Sequence, residues 1–515
     1  MKKVFQTIES ICSNKWFPII FLLFACCFLL LMSYTTSPLY VNDSVDSSVF
    51  KSMGLAILQG KVPYLDIFDH KGPVIYFIDA FGQWIIPGRC GIFCLQIMGL
   101  TVALLYLFKT AKLFLNSTLS FVSVIIALFM YAAVIAEGNK CEEWMMIFFS
   151  ISIYYSLSCF VNIQQSKHPL KYSWIYGLCF GITFLIRPND AVAQLGGIMF
   201  GVLCYLLYKK NYKDAIYNVI CFVGGFLVVL IPFICYFAYH NALYDFYYGL
   251  IGFNITYSGG IISLIRSFFS IWKLVHLLFF SMMWVMIYNT PQKRTLWILI
   301  PVIIFELLLL GTNHVSFIYY YTVFVPFYSL YIVALFATQD KSLLVVGVAL
   351  LLFLPQIEKR PILKVARGTI ISNIKTLKSG ETAAKRFYAQ TDALLSHIPE
   401  NGKDSLWNYN LFWTVSSEDY KNNVCASEML TYFSILWHKK IVQCNLITCG
   451  QNEILLEKDN LQKKHPLYVV RCIVPQMKDP RERADSVLFA DYYKIAQTDT
   501  TICNVELWHL KPQDF

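Results

Sequence analysis

Up to about residue 357 the chain is a succession of apolar runs, each near the roughly 20 residues that a helix needs to cross a bilayer. They fall at 16–33, 91–108, 118–136, 144–161, 173–186, 191–208, 216–238, 268–288, 295–311, 319–337 and 342–357. Short polar or Gly- and Pro-marked breaks separate them. In lipid every backbone polar group must be satisfied within the chain, so serial runs of this kind restrict the fold to a bundle of helices. Composition agrees: of 515 residues 57% are hydrophobic, 17% aromatic and only 14% charged. Soluble domains carry roughly a quarter charged residues, so an ordinary soluble protein is excluded. The expected fold is an all-α polytopic membrane protein of about eleven helices, over residues 1–357, with a small α/β domain over 358–515.

The first run follows Lys2, Lys3 and Lys15 as a signal peptide would, but no small-residue cleavage site follows, so it is expected to stay as a helix. The formal charge of +10 would suggest nucleic acid in a soluble protein; here the bases belong to loops, and no nucleic-acid partner is expected. Lys109, Lys112, Lys167, Lys171, Lys209, Lys210, Lys213, Lys293, Arg294 and Lys341 share one side with the N-terminus, which the positive-inside bias makes cytoplasmic. Asp43, Asp46, Asp66, Asp69, Asp79, Glu137, Glu142, Glu143, Asp190 and Asp245 then face outward, and an odd number of spans puts the tail outside too.

That tail mixes charges of both signs with short apolar stretches. Residues 362–397 read as helix, and 404–413 and 466–474 as strands. It holds Cys425, Cys444, Cys449, Cys472 and Cys503, so one or two disulfides fit an oxidising compartment. No spacing resembles a structural zinc site. The segment Tyr236–Tyr257, dense in Tyr and Phe, reads as re-entrant or interfacial.

The loop between the first two runs, residues 34–90, is far longer than a connection requires. Phe50, Met53 and Ile57 share one helical face ahead of Gly60, which predicts a short helix on the outer membrane surface, capped by Asp46 or Ser47. Asp46 is therefore either an N-cap or a working carboxylate, with Asp43 beside it. Further on, Asp66, Asp69, His70 and Lys71 crowd between Pro63 and Pro73. A solvated loop with a local Asp69–Lys71 pair is the plainer alternative.

The order Asp46-Ser-Ser-Val-Phe, Gly60-Lys-Val-Pro-Tyr-Leu-Asp66 and Phe68-Asp-His-Lys71-Gly-Pro73-Val-Ile-Tyr76 resembles the first outer loop of GT-C glycosyltransferases. The resemblance is to the bacterial branch related to protein O-mannosyltransferases and the lipid A aminoarabinose transferase. Glu137-Gly-Asn-Lys-Cys-Glu-Glu-Trp144, and Tyr319-Tyr320-Tyr321 followed by Pro326, agree with it. It implies a multi-pass enzyme of the bacterial inner membrane that takes a sugar from a polyprenyl phosphate, with a glycan, lipid or protein as acceptor. It also implies that Asp46 acts at the acceptor and that Lys71 contacts the donor phosphate.

Both roles suit an inverting transfer, in which a carboxylate takes the acceptor's proton and cations meet the departing phosphate. Arg187, in Ile186-Arg187-Pro188-Asn189-Asp190, offers a planar second cation or else marks a membrane boundary. Glu142 and Glu143 offer a second carboxylate or else favour a helix N-terminus. Glu306 stands within a span, as a functional group or a helix-bonding one. His314, Tyr320 and Tyr321 are candidates for contact with sugar or phosphate, though an aromatic belt also explains the tyrosines. Asp43, Asp46, Asp66 and Asp69 in the first loop invite a divalent metal, but no tight metal-loop spacing is present, so no metal or other cofactor is expected. A polymerase or ligase of lipid-linked glycans would place its chemistry in a late loop, and a transporter would show related halves and midplane polar groups. The early charged loop favours neither.

Overall fold

A computed structural model describes residues 16–40, 44–161, 167–257, 299–309, 317–353, 361–380, 392–399, 406–409, 465–473, 488–499 and 504–512, with isolated positions at 9, 385, 389 and between 278 and 286. In chain order the first helices are α1 (Phe17–Met32), α2 (Val45–Leu58), α3 (Pro73–Ile85), α4 (Arg89–Ala111), α5 (Ser117–Tyr131), α6 (Cys141–Val161), α7 (Leu170–Phe184), α8 (Pro188–Tyr208) and α9 (Tyr212–Tyr239). Helical pieces follow at Leu243–Tyr247, Tyr248–Gly252 and Phe253–Tyr257, then α10 (Ile300–Leu309), α11 (Ile318–Ala337), α12 (Lys341–Phe353) and α13 (Ile362–Ser379).

Local chemistry sets the ends. Pro18 sits in the first turn of α1, where its missing N–H costs nothing. The Asn116 side chain caps α5 by accepting from Leu119 N at 2.9 Å, and Asn211 caps α9 from Asp214 N at 3.3 Å. Irregular turns interrupt several helices: α8 passes through a π-helical turn at Val192–Gly196, another π-helical turn lies at Tyr248–Gly252, and α11 opens as a 3₁₀ helix over Ile318–Phe324. The segment expected to be re-entrant is helical on both sides of a break near Asn241, whose φ is 55°.

Five helices, α4, α6, α8, α9 and α11, are long and apolar enough to cross a membrane among the described residues; α1, α5 and α12 are shorter apolar helices. Of the about eleven helices expected, five are matched at full length and three as shorter apolar helices among the described residues, and the expected run 173–186 falls in α7, which has 15 residues. Most of 268–288 lies outside the described residues, and of 295–311 only α10 and Leu299 are described.

The chain divides into two compact units. The first comprises Met1–Ser33, Lys71–Ile75 and Phe93–Lys375. Its core is aromatic at one end, where Phe17 and Phe21 of α1 meet Phe108 of α4 at ring separations of 4.7 and 5.7 Å. The α7–α9 pair is pinned by polar groups: His168 N donates to Asp214 at 2.8 Å, and Ser173 Oγ to Asn218 Oδ1 at 2.6 Å.

The second unit comprises Tyr34–His70, Tyr76–Ile92 and Thr376–Phe515. Within it α2 departs from expectation twice. Ser44 stands at its N-cap without a side-chain capping bond, so the N-cap is neither Asp46 nor Ser47; Asp46 lies inside the first turn. Nor is α2 an amphipathic surface helix, because Ser47, Ser48, Lys51 and Met53 are all fully buried. Enclosure has a visible cause: Gln83 Nε2 donates to Lys51 O at 3.0 Å, and Lys51 Nζ to Thr35 O at 3.3 Å, so neighbouring segments cover the face meant for solvent.

The same unit carries β1 (Leu406–Tyr409), β2 (Tyr468–Ile473), β3 (Tyr492–Asp499) and β4 (Asn504–Leu510) in the order β1-β2-β4-β3. The β1–β2 pair is parallel and the others antiparallel. Val469, Leu488, Tyr492 and Trp508 form its apolar core. Both expected strands are present, and the helix expected over 362–397 is interrupted at Gly380, with φ 65°, after Ser379; residues 392–395 are helical again. Of the tail cysteines, Cys425, Cys444, Cys449 and Cys503 lie outside the described residues, as does the side chain of Cys472.

Candidate functional site

In the first unit the site begins with the backbone around Arg187. Pro188 follows it, and the residue before a proline is driven from helical to extended backbone. Arg187 accordingly has φ −155° and ψ 102°, which ends α7 and starts α8. The two residues before it are paired by the Lys71–Ile75 segment: Gly72 N donates to Ile186 O at 2.9 Å and Val74 N to Leu185 O at 3.0 Å. This approach requires glycine, since a Cβ on Gly72 would lie 2.1 Å from Leu185 O. Lys71 and Arg187 are thus set on adjoining strands of chain despite their distance in sequence.

The third element is the turn that leads into α6. Ala136, Gly138 and Asn139 have φ of 53°, 85° and 55°, a run of left-handed backbone that costs energy at the two non-glycine positions. It delivers Lys140 and then Glu142, which is 2% exposed. The Arg187 Nη1 donates to Glu142 Oε1, and Nε lies 3.2 Å from Asp190 Oδ2. The guanidinium carbon stands 4.3 Å from the centroid of the Tyr320 ring. Burial alone would depress the pKa of Arg187, yet attraction from Asp190 and then Glu142 raises it above its usual value, so the side chain is held charged. Lys71 adds a favourable coulombic interaction with both carboxylates. Lys71, Glu142, Arg187, Asp190 and Tyr320 thus form one cluster with two cations against two carboxylates.

A second cation lies along the same 3₁₀ turn of α11. Lys140, 4% exposed, pairs with Glu137 at 2.9 Å and sits 4.7 Å from the Tyr319 ring. Consecutive tyrosines, 5.0 Å apart and nearly perpendicular, therefore each carry a buried cation. Sequence reasoning gave no role to Lys140, Tyr319 or Asp190; the only signal was their place inside the Glu137–Trp144, Tyr319–Tyr321 and Ile186–Asp190 motifs.

The remaining candidates separate. Glu143 points to structural partners, accepting from Gln96 Nε2 and from Asn139 N, both at 2.9 Å. Tyr321 is buried beside Phe324 in the body of α11. In the second unit Asp66 Oδ2 accepts from Val62 N at 2.7 Å and closes its own loop. Asp69 is 3% exposed, accepts from the Tyr76 hydroxyl at 2.7 Å and lies 3.3 Å from His70 Nδ1. Asp46 is half-buried. Asp43, His314 and the side chain of Glu306 lie outside the described residues. Among the described residues no group of three or more His, Cys, Asp or Glu is placed to hold a metal ion.

The family model for dolichyl-phosphate-mannose-protein mannosyltransferases matches residues 70–239, which include Lys71, Glu142, Arg187 and Asp190. Among solved structures, apo ArnT from Cupriavidus metallidurans is similar at a TM-score of 0.60 and 11% identity, over 96% of this chain and 99% of that one. ArnT of the same organism bound to undecaprenyl phosphate gives a TM-score of 0.55 at 11% identity, over 97% and 100%. At that identity the likeness is one of fold, and the fold is ArnT-like along nearly the whole chain. No curated protein matches in sequence. The resemblance read in the first loop is supported by the family match over residues 70–239 and by the ArnT-like fold.

Proposed function

We propose that this protein is a polytopic glycosyltransferase that moves one hexosyl or pentosyl residue from a polyprenyl-phosphate donor to an outward-facing glycan, lipid or protein, with inversion. The observation that carries the reading is the pairing of the Lys71–Ile75 segment with residues 185–186, which brings Lys71 into coulombic reach of the carboxylates around Arg187. A departing polyprenyl phosphate gains negative charge in the transition state, and pre-set cations stabilise that charge more than they stabilise the bound donor. Lys71 offers a compact ammonium and Arg187 a planar fork suited to phosphate oxygens. The ArnT-like fold supports a lipid phosphate as leaving group, since one ArnT structure holds undecaprenyl phosphate.

Asp46 is the general base in this reading. It accepts the acceptor's hydroxyl proton as the oxygen attacks the anomeric carbon, the bond to phosphate breaks, and the phosphate leaves as an anion toward Lys71 and Arg187. The membrane is the bacterial cytoplasmic one, with the N-terminus inside and the first loop and C-terminal domain outside. The test is transfer by membranes supplied with polyprenyl-phosphate sugars: Asp46→Asn is expected to abolish product while the protein remains expressed and folded. Turnover near that of the parent would remove Asp46 as base.

A further inference from the structure

We infer that Asp190 is an exchangeable counter-ion for Arg187: the donor's phosphate displaces it, and its return helps to expel the polyprenyl phosphate after transfer. This presupposes the glycosyltransferase reading and adds a residue that governs access to the phosphate site.

The charge balance raises the question. Two cations face two carboxylates, so an arriving phosphate meets Glu142 and Asp190 as well as Lys71 and Arg187. Displacing one carboxylate from beside the guanidinium would relieve that repulsion. Glu142 is the firmer of the two. It takes a direct hydrogen bond from Nη1, and it opens a 21-residue helix whose start is locked by Glu143 through Asn139 and Gln96.

Asp190 is held differently. It is 2% exposed, and its Oδ2 accepts no hydrogen bond although Nε of Arg187 is 3.2 Å away, so the contact is coulombic without an aligned N–H. It stands in a single α-turn, Pro188–Ala191, that runs directly into the π-helical turn Val192–Gly196. Such turns are uncommon and gather at functional sites, where they tolerate changes of register. Within that turn Gln194 donates to Val323 O at 3.1 Å, while its own Oε1 is buried without a hydrogen-bond partner among the described residues. Tyr320 and Val323 are three residues apart in a 3₁₀ helix and so share a face. Among the described residues, two buried acceptors without a hydrogen bond, Asp190 Oδ2 and Gln194 Oε1, therefore lie on the segment applied to that face. Buried acceptors left unpaired are costly, and a segment that carries two of them gains from rearrangement.

The test is affinity of the purified full-length protein for undecaprenyl phosphate in nanodiscs. Asp190→Asn keeps the shape and removes the competing charge, so it is expected to bind undecaprenyl phosphate about tenfold tighter and, because product leaves more slowly, to lower kcat and KM together. Unchanged or weaker binding overturns the assignment. Glu142→Gln also removes a charge, but at the carboxylate held by Nη1, so it is expected to tighten binding less than Asp190→Asn; a larger gain for Glu142→Gln means the exchangeable group is the wrong one. Difference infrared spectra of the unaltered protein provide a check that needs no variant: undecaprenyl phosphate should shift a carboxylate band, and a flat spectrum contradicts the exchange. A parent protein that does not bind undecaprenyl phosphate at all takes down the glycosyltransferase reading too, whereas binding without the Asp190→Asn gain removes only the role of Asp190.

Discussion

Arg187 combines a buried guanidinium, two carboxylates and an aromatic face, and each contact makes a separate demand on the side chain. A lysine would keep the charge but lose the planar fork that reaches Glu142 and Asp190 at once and the flat surface that rests on Tyr320. Arg187→Lys is therefore expected to lower kcat/KM by tenfold or more, as measured by transfer kinetics in detergent; parity with the parent would show that charge alone suffices. Lys71→Ala is expected to act on donor binding, raising the donor KM by roughly tenfold or more. An unchanged KM would argue against contact with the phosphate. Glu143 differs from its neighbour Glu142, because both of its oxygens are engaged by Gln96 and Asn139. Glu143→Gln is expected to lower the melting temperature, since one backbone N–H loses a charged acceptor worth roughly 1.5–3 kcal/mol. If it abolishes transfer with no thermal effect, Glu143 belongs to the chemistry instead.

Among the elements, the Lys71–Ile75 segment does the most to assemble the cluster, and it depends on Gly72. Gly72→Ala would drive a methyl group to 2.1 Å from Leu185 O, so the segment must move away from residues 185–186 and carry Lys71 with it. The expected result is a higher donor KM of the kind seen for Lys71→Ala; a KM equal to the parent's would show that the lysine is placed by other contacts. The apolar helices were legible in the sequence because a run of hydrophobic residues needs no partner to be recognised. Irregular backbone was not: no residue pattern marked the π turn in α8, the 3₁₀ start of α11 or the left-handed run at Ala136–Asn139. The same limit applied to α2, whose expected solvent face is covered by Gln83 and Thr35. Lys71 and Arg187 were each visible within a motif, but the backbone pairing that joins them was not. Asp190 was hidden by its ordinary appearance, three residues after an arginine at the start of a helix.

For the whole molecule, orientation is the property on which the proposed transfer depends, because in that proposal a lipid-linked sugar and an outer acceptor meet on one side. The helix α9 offers a clean test: it has 28 residues, is almost wholly exposed along its apolar length, and has exposed Lys213 and Asn241 at its two ends. Cysteines placed at Lys213 and Asn241, in a background with the accessible native cysteines replaced, are expected to react from opposite sides with an impermeant maleimide, the second from outside intact cells. Labelling of both from one side would mean that α9 does not cross the membrane.

The most direct measurement is mass spectrometry of the cell-surface glycans, lipids and proteins in cells that lack this chain, compared with cells that carry the parent or Lys71→Ala. The expected result is loss of one sugar from one acceptor, restored by the parent and not by Lys71→Ala. Surface material identical in all three strains would contradict transfer of a lipid-linked sugar by this protein.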